Sequence, residues 1–214
     1  NKISKKKYKI EDFAIEAIWL SKINQKDFEK LNNFFWFFSL DLKSSKKTVQ
    51  SVIINWINNN YHYNYKSWDF DITSKRIISW LSNHQLTYED GDKEYRIKFD
   101  QCIQKQVNHL LSEIKNSNEF ENKMIGCAAI ILTGLAYQNN KNYLNNGLVL
   151  LKKIIKSSID NQGFPKSRNI KQLSFYLKYF IIIREWFKES QNTIPEYIDE
   201  TIYYLGLSYA FIWQ

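Results

Sequence analysis

The stretch EFENKMIGCAAIILTGLAY, residues 119–137, decides how this chain folds. Ile125, Ala128, Ala129, Ile131, Leu132, Leu135 and Ala136 recur at helical spacing, with few polar residues between them. Gly126 and Gly134 sit within the stretch. Residues without a bulky side chain let a neighbouring backbone come close. The segment is therefore expected to be the central helix of an all-α fold.

Outward from it, other segments repeat the helical pattern. Lys93–Lys115 carries Tyr95, Ile97, Phe99, Cys102, Ile103, Val107, Leu110 and Leu111 on one broad face. Asn142–Ile159 and Ile170–Lys188 are amphipathic in the same way, the latter through Leu173, Tyr176, Leu177, Phe180, Ile181 and Trp186. Thr193-Ile194-Pro195-Glu196 reads as a capping box with proline in the first turn, starting a last helix from Tyr197. On the N-terminal side, Ile10–Ile23 has a rough helical face, and Asp27 opens a segment running to Leu42 through Phe28, Leu31, Phe34, Phe35, Phe37 and Phe38. Thr48–Ile57 places Val52, Ile53, Trp56 and Ile57 together; Asp71 or Thr73 is placed to cap a helix holding Arg76, Ile77, Trp80 and Leu81, ending near Asn83-His84. Between these two, Asn58–Phe70 reads as a loop whose Tyr61, Tyr63, Tyr65 and Trp68 can stack on a ligand ring or pack the loop down. The count is about nine helices with mostly short connections, so antiparallel helix pairs in one domain over 1–214 are expected, as in an incomplete α/α toroid or an α-solenoid.

Composition narrows the function classes. Of 214 residues, 44% are hydrophobic and 16% aromatic, enough for a sizeable core. Six glycines and two prolines are too few for the frequent turns of a β-sandwich. The net charge of +8 suits an anionic partner, yet Lys and Arg are spread along the chain, which argues against nucleic acid. Only Lys5-Lys6-Lys7 is a tight run, and it reads as a solvated end. Cys102 and Cys127 have neither metal-site spacing nor a histidine partner and read as buried thiols, with a single disulfide as the other possibility. No metal or cofactor is expected, and no apolar run reaches the length of a membrane span. The chain starts at Asn1 and ends on the apolar run Tyr209–Trp213, so it is expected to be a piece of a longer protein.

One stretch is not explained by a packed helix: DNQGFPKSRNIKQLSFY, residues 160–176. Gly163 and Pro165 break the helix, and Ser167 or Asn169 can cap the next one. Lys166, Ser167, Arg168 and Asn169 beside a helix start, with free backbone N–H groups, suit an anion. The same residues also read as an ordinary capped loop with two solvated cations.

These segments together resemble the heparinase II/III-like family. Residues 68–110, WDFDITSKRIISWLSNHQLTYEDGDKEYRIKFDQCIQKQVNHL, resemble a family stretch in which a Trp turn leads to an Arg-Arg-Leu-x-x-Trp-Leu helix, with Trp68, Arg76, Trp80 and Leu81 in the matching places. Residues 160–176 resemble its Asp-Gly-Gly-His-x-Ser-Arg-Asn loop, Asp41-Leu42 its Asp-Leu pair, and Ala128–Gly134 its Ala-rich helix. The resemblance implies a toroid followed by a C-terminal β-sandwich domain beyond residue 214, a polysaccharide lyase acting on uronate chains by β-elimination, and a periplasmic setting. It implies catalytic roles for Arg168, Asn169 and His84, and substrate contacts from Trp68, Arg76, Trp80, Asn122, Lys166 and Ser167. β-Elimination needs a base for the proton at C5, an acid for O4 and a neutralised carboxylate.

The chain also departs from that pattern. Pro165 stands where the family has its loop histidine, Asn122-Lys123 lacks the histidine of the family's Asn-His pair, and Gln172-Leu173 stands where a catalytic tyrosine is expected. Histidines occur only at His62, His84 and His109; Tyr63, Tyr137 and Tyr176 remain as other proton carriers. Two further readings follow. One is a catalytically inactive glycan-binding or envelope-associated domain of the same fold, and the other is a helical module that binds a protein.

Overall fold

The computed structural model of the chain describes residues 19, 23–41, 43–117, 119–139 and 141–212. Lys5–Lys7, Leu42 and nearly all of the 10–23 segment lie outside them. Among the described residues the protein is all-α. Its helices are α1 (Gln25–Asn32), α2 (Lys46–Asn60), α3 (Phe70–Ser82), α4 (His84–Thr87), α5 (Lys93–Glu113), α6 (Phe120–Ala136), α7 (Lys141–Ser158), α8 (Ile170–Glu189) and α9 (Glu196–Ile212). A 3-10 helix covers Phe35–Ser39. The only β-type pairing described is an isolated bridge between Ile159 and Pro165.

Helix α6 is the hub, packing on α3, α5, α7 and α8. Every residue from Met124 to Leu135 is buried. The three members of the row α3, α6 and α8 each pack against a further helix, α5, α7 and α9 respectively. Glycine makes the closest of these contacts possible. A Cβ on Gly134 would lie 2.3 Å from the Leu144 backbone nitrogen of α7, and one on Gly147 of α7 would lie 2.6 Å from Ile131 of α6. The Phe70 ring at the start of α3 fills the space over Gly126, where a Cβ would lie 2.4 Å from its Cζ. Cys102 and Cys127 are buried free thiols.

The N-terminal half is built on aromatic rings around one arginine. Arg76 of α3 is fully buried. Its guanidinium donates to Gln106 Oε1 (2.8 Å), the carbonyls of Asn32 (3.0 Å) and Ser67 (2.9 Å), and Thr73 Oγ1 (3.2 Å). It also stacks 4.0 Å from the Trp56 ring centroid. Phe34, Trp56 and Trp80 meet edge to face at centroid distances of 5.2 to 6.1 Å.

Two local expectations are corrected. The segment from Asp27 to Leu42 is not one helix. Asn33 ends α1, its side chain accepts from the Phe35 N–H (2.9 Å), and Phe34 turns into the left-handed region at φ 58°. A continuous helix would point part of the Phe34–Phe38 run at water; the break sends Phe34 and Phe37 into the core. Helix α3 is capped by Asp69, which accepts from the N–H groups of Asp71 and Ile72, rather than by Asp71 or Thr73.

Candidate functional site

The loop between α7 and α8 is ordered by Asp160. Its Oδ1 accepts from the N–H groups of Gln162 (3.0 Å) and Phe164 (2.9 Å), and its Oδ2 meets Arg168 Nη1 at 2.6 Å. Burial alone would raise this carboxyl. The amides of Phe164 and Gln162 and the Arg168 guanidinium outweigh it and hold the group below its ordinary value. Gly163 adopts φ 82°, and a Cβ there would lie 2.4 Å from the Tyr204 carbonyl. Ser208 Oγ donates to the Gln162 carbonyl at 2.9 Å. Glycine is what lets the loop lie flat against α9.

The four loop residues expected to hold an anion all have internal partners. Arg168 is ion-paired to Asp160 and sits at φ 56°. Asn169 caps α8, accepting from the Lys171 N–H at 2.9 Å. Ser167 Oγ donates to Gln172 Oε1 at 2.5 Å. Lys166 Nζ donates to the Lys156 carbonyl at 2.7 Å in the last turn of α7, a favourable place for a cation.

Of these four, only Lys166 lines the neighbouring groove, a cleft of about 730 Å³ between α7 and α9. Lys152 and Lys156 enter it from α7, one turn apart; Tyr197, Glu200, Thr201 and Tyr204 enter from one face of α9. Asp160 and Glu200 are its only carboxylates, against three ammonium groups. Lys152 Nζ lies 4.8 Å from the Tyr197 ring centroid. The Tyr197 hydroxyl is buried without a hydrogen-bond partner among the described residues, and burial, with the Cys127 thiol as a lesser cause, pushes it up to about 12. Tyr204 is partly exposed at the rim.

Two other expected residues lie in other places. Asn122, at the start of α6, donates to Glu119 Oε2 (2.9 Å) and lines a cleft of about 420 Å³ rimmed by Tyr63 and Tyr65. These tyrosines are 64% and 71% exposed, as a ring-stacking platform requires. The cleft also presents Asp69, Glu113 and Glu119 and has no Lys or Arg in its lining, so it repels a uronate. His84 is exposed on α4, 3.6 Å from Glu89 Oε1, and lines a third cavity with Tyr88, Asp100 and Tyr137. The three clefts share no lining residue.

Arg76 is corrected from a substrate contact to a core residue, whereas Trp68 and Trp80 are buried residues that line the second and third clefts rather than the lysine groove. Trp68 is buried, donates to the Asn60 carbonyl (2.8 Å) and packs on His109, whose Nε2–H donates to the Trp68 carbonyl. Arg76 spends its N–H groups inside the protein, and Trp80 is enclosed by Phe34, Trp56 and Phe99. The residues that sequence reasoning missed are Lys152, Lys156, Tyr197 and Tyr204. The four-residue step from Lys152 to Lys156, and the Tyr197–Thr201–Tyr204 face, were the available signal. No group of His, Cys, Asp and Glu among the described residues is arranged to hold a metal, and no described helix is long and apolar enough to cross a membrane.

Comparison with protein-family models, curated proteins and solved structures finds no match to this chain.

Proposed function

We propose that this domain binds an acidic, uronate-containing polysaccharide in the α7–α9 groove and holds it without eliminating it. The observation that carries this reading is the convergence of Lys152, Lys156 and Lys166 on one groove that also presents Tyr197 and Tyr204. Ammonium groups pair with uronate carboxylates or sulfates, and a tyrosine face takes the apolar side of a sugar ring. The row α3–α6–α8 backed by α5, α7 and α9 is compatible with the layered pairing of an α/α toroid, and so with the heparinase II/III-like resemblance. Under that reading a C-terminal β domain and a periplasmic setting go with it.

The absence of elimination rests on proton transfer. The groove lining contains no histidine, and Pro165 occupies the loop position where the resemblance asks for one. Burial pushes Tyr197 up to about 12, which leaves even less of it ionised at neutral pH than an ordinary tyrosine and disfavours it as the base. His84 lines a different cavity. A working lyase remains the second reading, because of the Ser167-Arg168-Asn169 match.

Titration calorimetry with heparan, alginate and glucuronan types tests this, with dextran as the neutral control. Binding is expected to weaken with salt and to drop at least about tenfold in the Lys152→Glu/Lys166→Glu variant, as loss of charge-assisted contacts predicts. Ultraviolet absorbance of a C4–C5 double bond should stay flat; a rise replaces the binding reading with the lyase. Equal binding of dextran and the uronate chains, or an unaffected double variant, sinks both the groove assignment and the acidic ligand.

A further inference from the structure

The third cavity lies at the other end of the central row. Helices α3, α6 and α8 end at Ser82, Ala136 and Glu189, and the last turns of all three line it. The C-terminal end of a helix carries partial negative charge, so three such ends converge on one space of about 480 Å³. Asp100 and Glu189 add two carboxylates, and among the described residues the lining contains neither Lys nor Arg. Asp100 is held in place by two phenols: Tyr137 donates to its Oδ1 at 2.7 Å and Tyr88 to its Oδ2 at 3.0 Å. Burial, followed by the bond to Asp100, raises both phenols above their ordinary value, so they remain donors and the carboxylate stays fixed. Each carboxylate oxygen keeps a further lone pair for a ligand.

The remaining surfaces are apolar and aromatic. Leu81, Leu132, Leu135 and Trp186 are among the residues that supply them. Trp80, fully buried, is part of the lining as well, and its indole N–H has no hydrogen-bond partner among the described residues. An unpaired buried donor is costly, and a bound acceptor would recover that cost. Two basic groups lie near: Arg96 stacks 5.2 Å from the Tyr88 ring centroid without lining the cavity, and His84 at the rim faces Glu89.

We infer that this cavity binds a small organic amine with an apolar or aromatic body, its ammonium on Asp100 and Glu189 and an acceptor atom within reach of the Trp80 indole. The volume suits a ligand of that size. Carboxylates, aromatic faces and helix C-termini all favour a cation over a neutral or anionic isostere. The site is independent of the lysine groove, which has the opposite charge preference.

The test uses calorimetry on the whole chain with tyramine, the neutral 4-(2-hydroxyethyl)phenol and the anionic 4-hydroxyphenylacetate. Tyramine is expected to bind at least about tenfold more tightly than the alcohol, a difference of about 1.4 kcal/mol, with the acid weakest. The indole N–H resonance assigned through Trp80→Phe should shift only with a bound ligand. Glu189→Gln, at an exposed position, should weaken the amine and leave the alcohol unchanged, while Ala136→Trp should block all binding without loss of stability. No tyramine binding at millimolar concentration, equal affinity for amine and alcohol, or binding that survives Ala136→Trp overturns the assignment.

Discussion

Two arginines of this chain, both expected to face a ligand, show how differently the fold uses one side chain. Arg76 is fully buried, and four neutral oxygens and the Trp56 ring take up its guanidinium. Burial pulls its pKa down to about 9, which still leaves it charged at neutral pH. Around Arg168 the side chain is 64% exposed and closes a loop through a single carboxylate. The first region uses an ion as a structural rivet joining α1, α3, α5 and the turn before α3. The second uses the same group as a local clasp. Hydrogen-bond capacity is identical in the two places; what differs is how much water competes for it.

Removal of the rivet is the strongest way to break that contrast. Arg76→Ala leaves four buried oxygens without this donor and opens a cavity, so a loss of about 3–5 kcal/mol is expected in urea unfolding. Arg76→Lys should recover little of it, since an ammonium lacks the planar fork. A loss below about 1 kcal/mol for Arg76→Ala would place the guanidinium in water after all.

The same contrast holds without charge. In Gly134→Ala the new methyl meets the α7 backbone, and a loss of about 1–3 kcal/mol is expected from overpacking. Gly206→Ala on α9 meets nothing within 4 Å and should gain about 0.5–1 kcal/mol from helix propensity. Thermal melts of the two variants moving in the same direction would contradict the packing of α6 on α7.

The clasp should matter least. Arg168→Ala is expected to cost no more than about 1 kcal/mol, as for other exposed ion pairs. Arg168→Gly should be the milder variant, because glycine relieves the positive φ, worth roughly 1–2 kcal/mol for an L-residue in that region. If the glycine variant is less stable than wild type in chemical denaturation, the pair with Asp160 outweighs the backbone term.

Acid sharpens the comparison further. The Asp160 carboxyl titrates lower in the folded chain than its ordinary 3.8, so its contribution is present above that value and is lost as pH falls through the folded one. The stability gap between wild type and Asp160→Asn should narrow on acidification across that window. A gap that widens instead would mean that burial, not the amides and Arg168, dominates this carboxyl.

Much of the architecture was legible in the chain. The segment around Ala128 reads as a central helix because its small residues let neighbours come close, and the structure makes it the hub. Gly134 announces a close contact, and Asn169 its capping role. These features depend on residues within a turn or two of one another, over which spacing and capping act directly. The Phe34–Phe38 run was misread because a left-handed turn at a phenylalanine is favoured only when the core accepts its ring.

The fate of the expected site residues was not legible. Arg76 has partners 30 and 44 positions away, and Ser208 meets the loop 46 positions from its bond to Gln162. Sequence periodicity says that a side chain lies on a given helix face, not whether that face meets water, a carbonyl or a ring. Helical class, a central apolar helix and the capped loop follow from local pattern and were written in the residues themselves. Which arginine is buried, which lysines share a groove and which helix ends gather around Asp100 depend on distant segments meeting, and packing of the whole chain alone settles them.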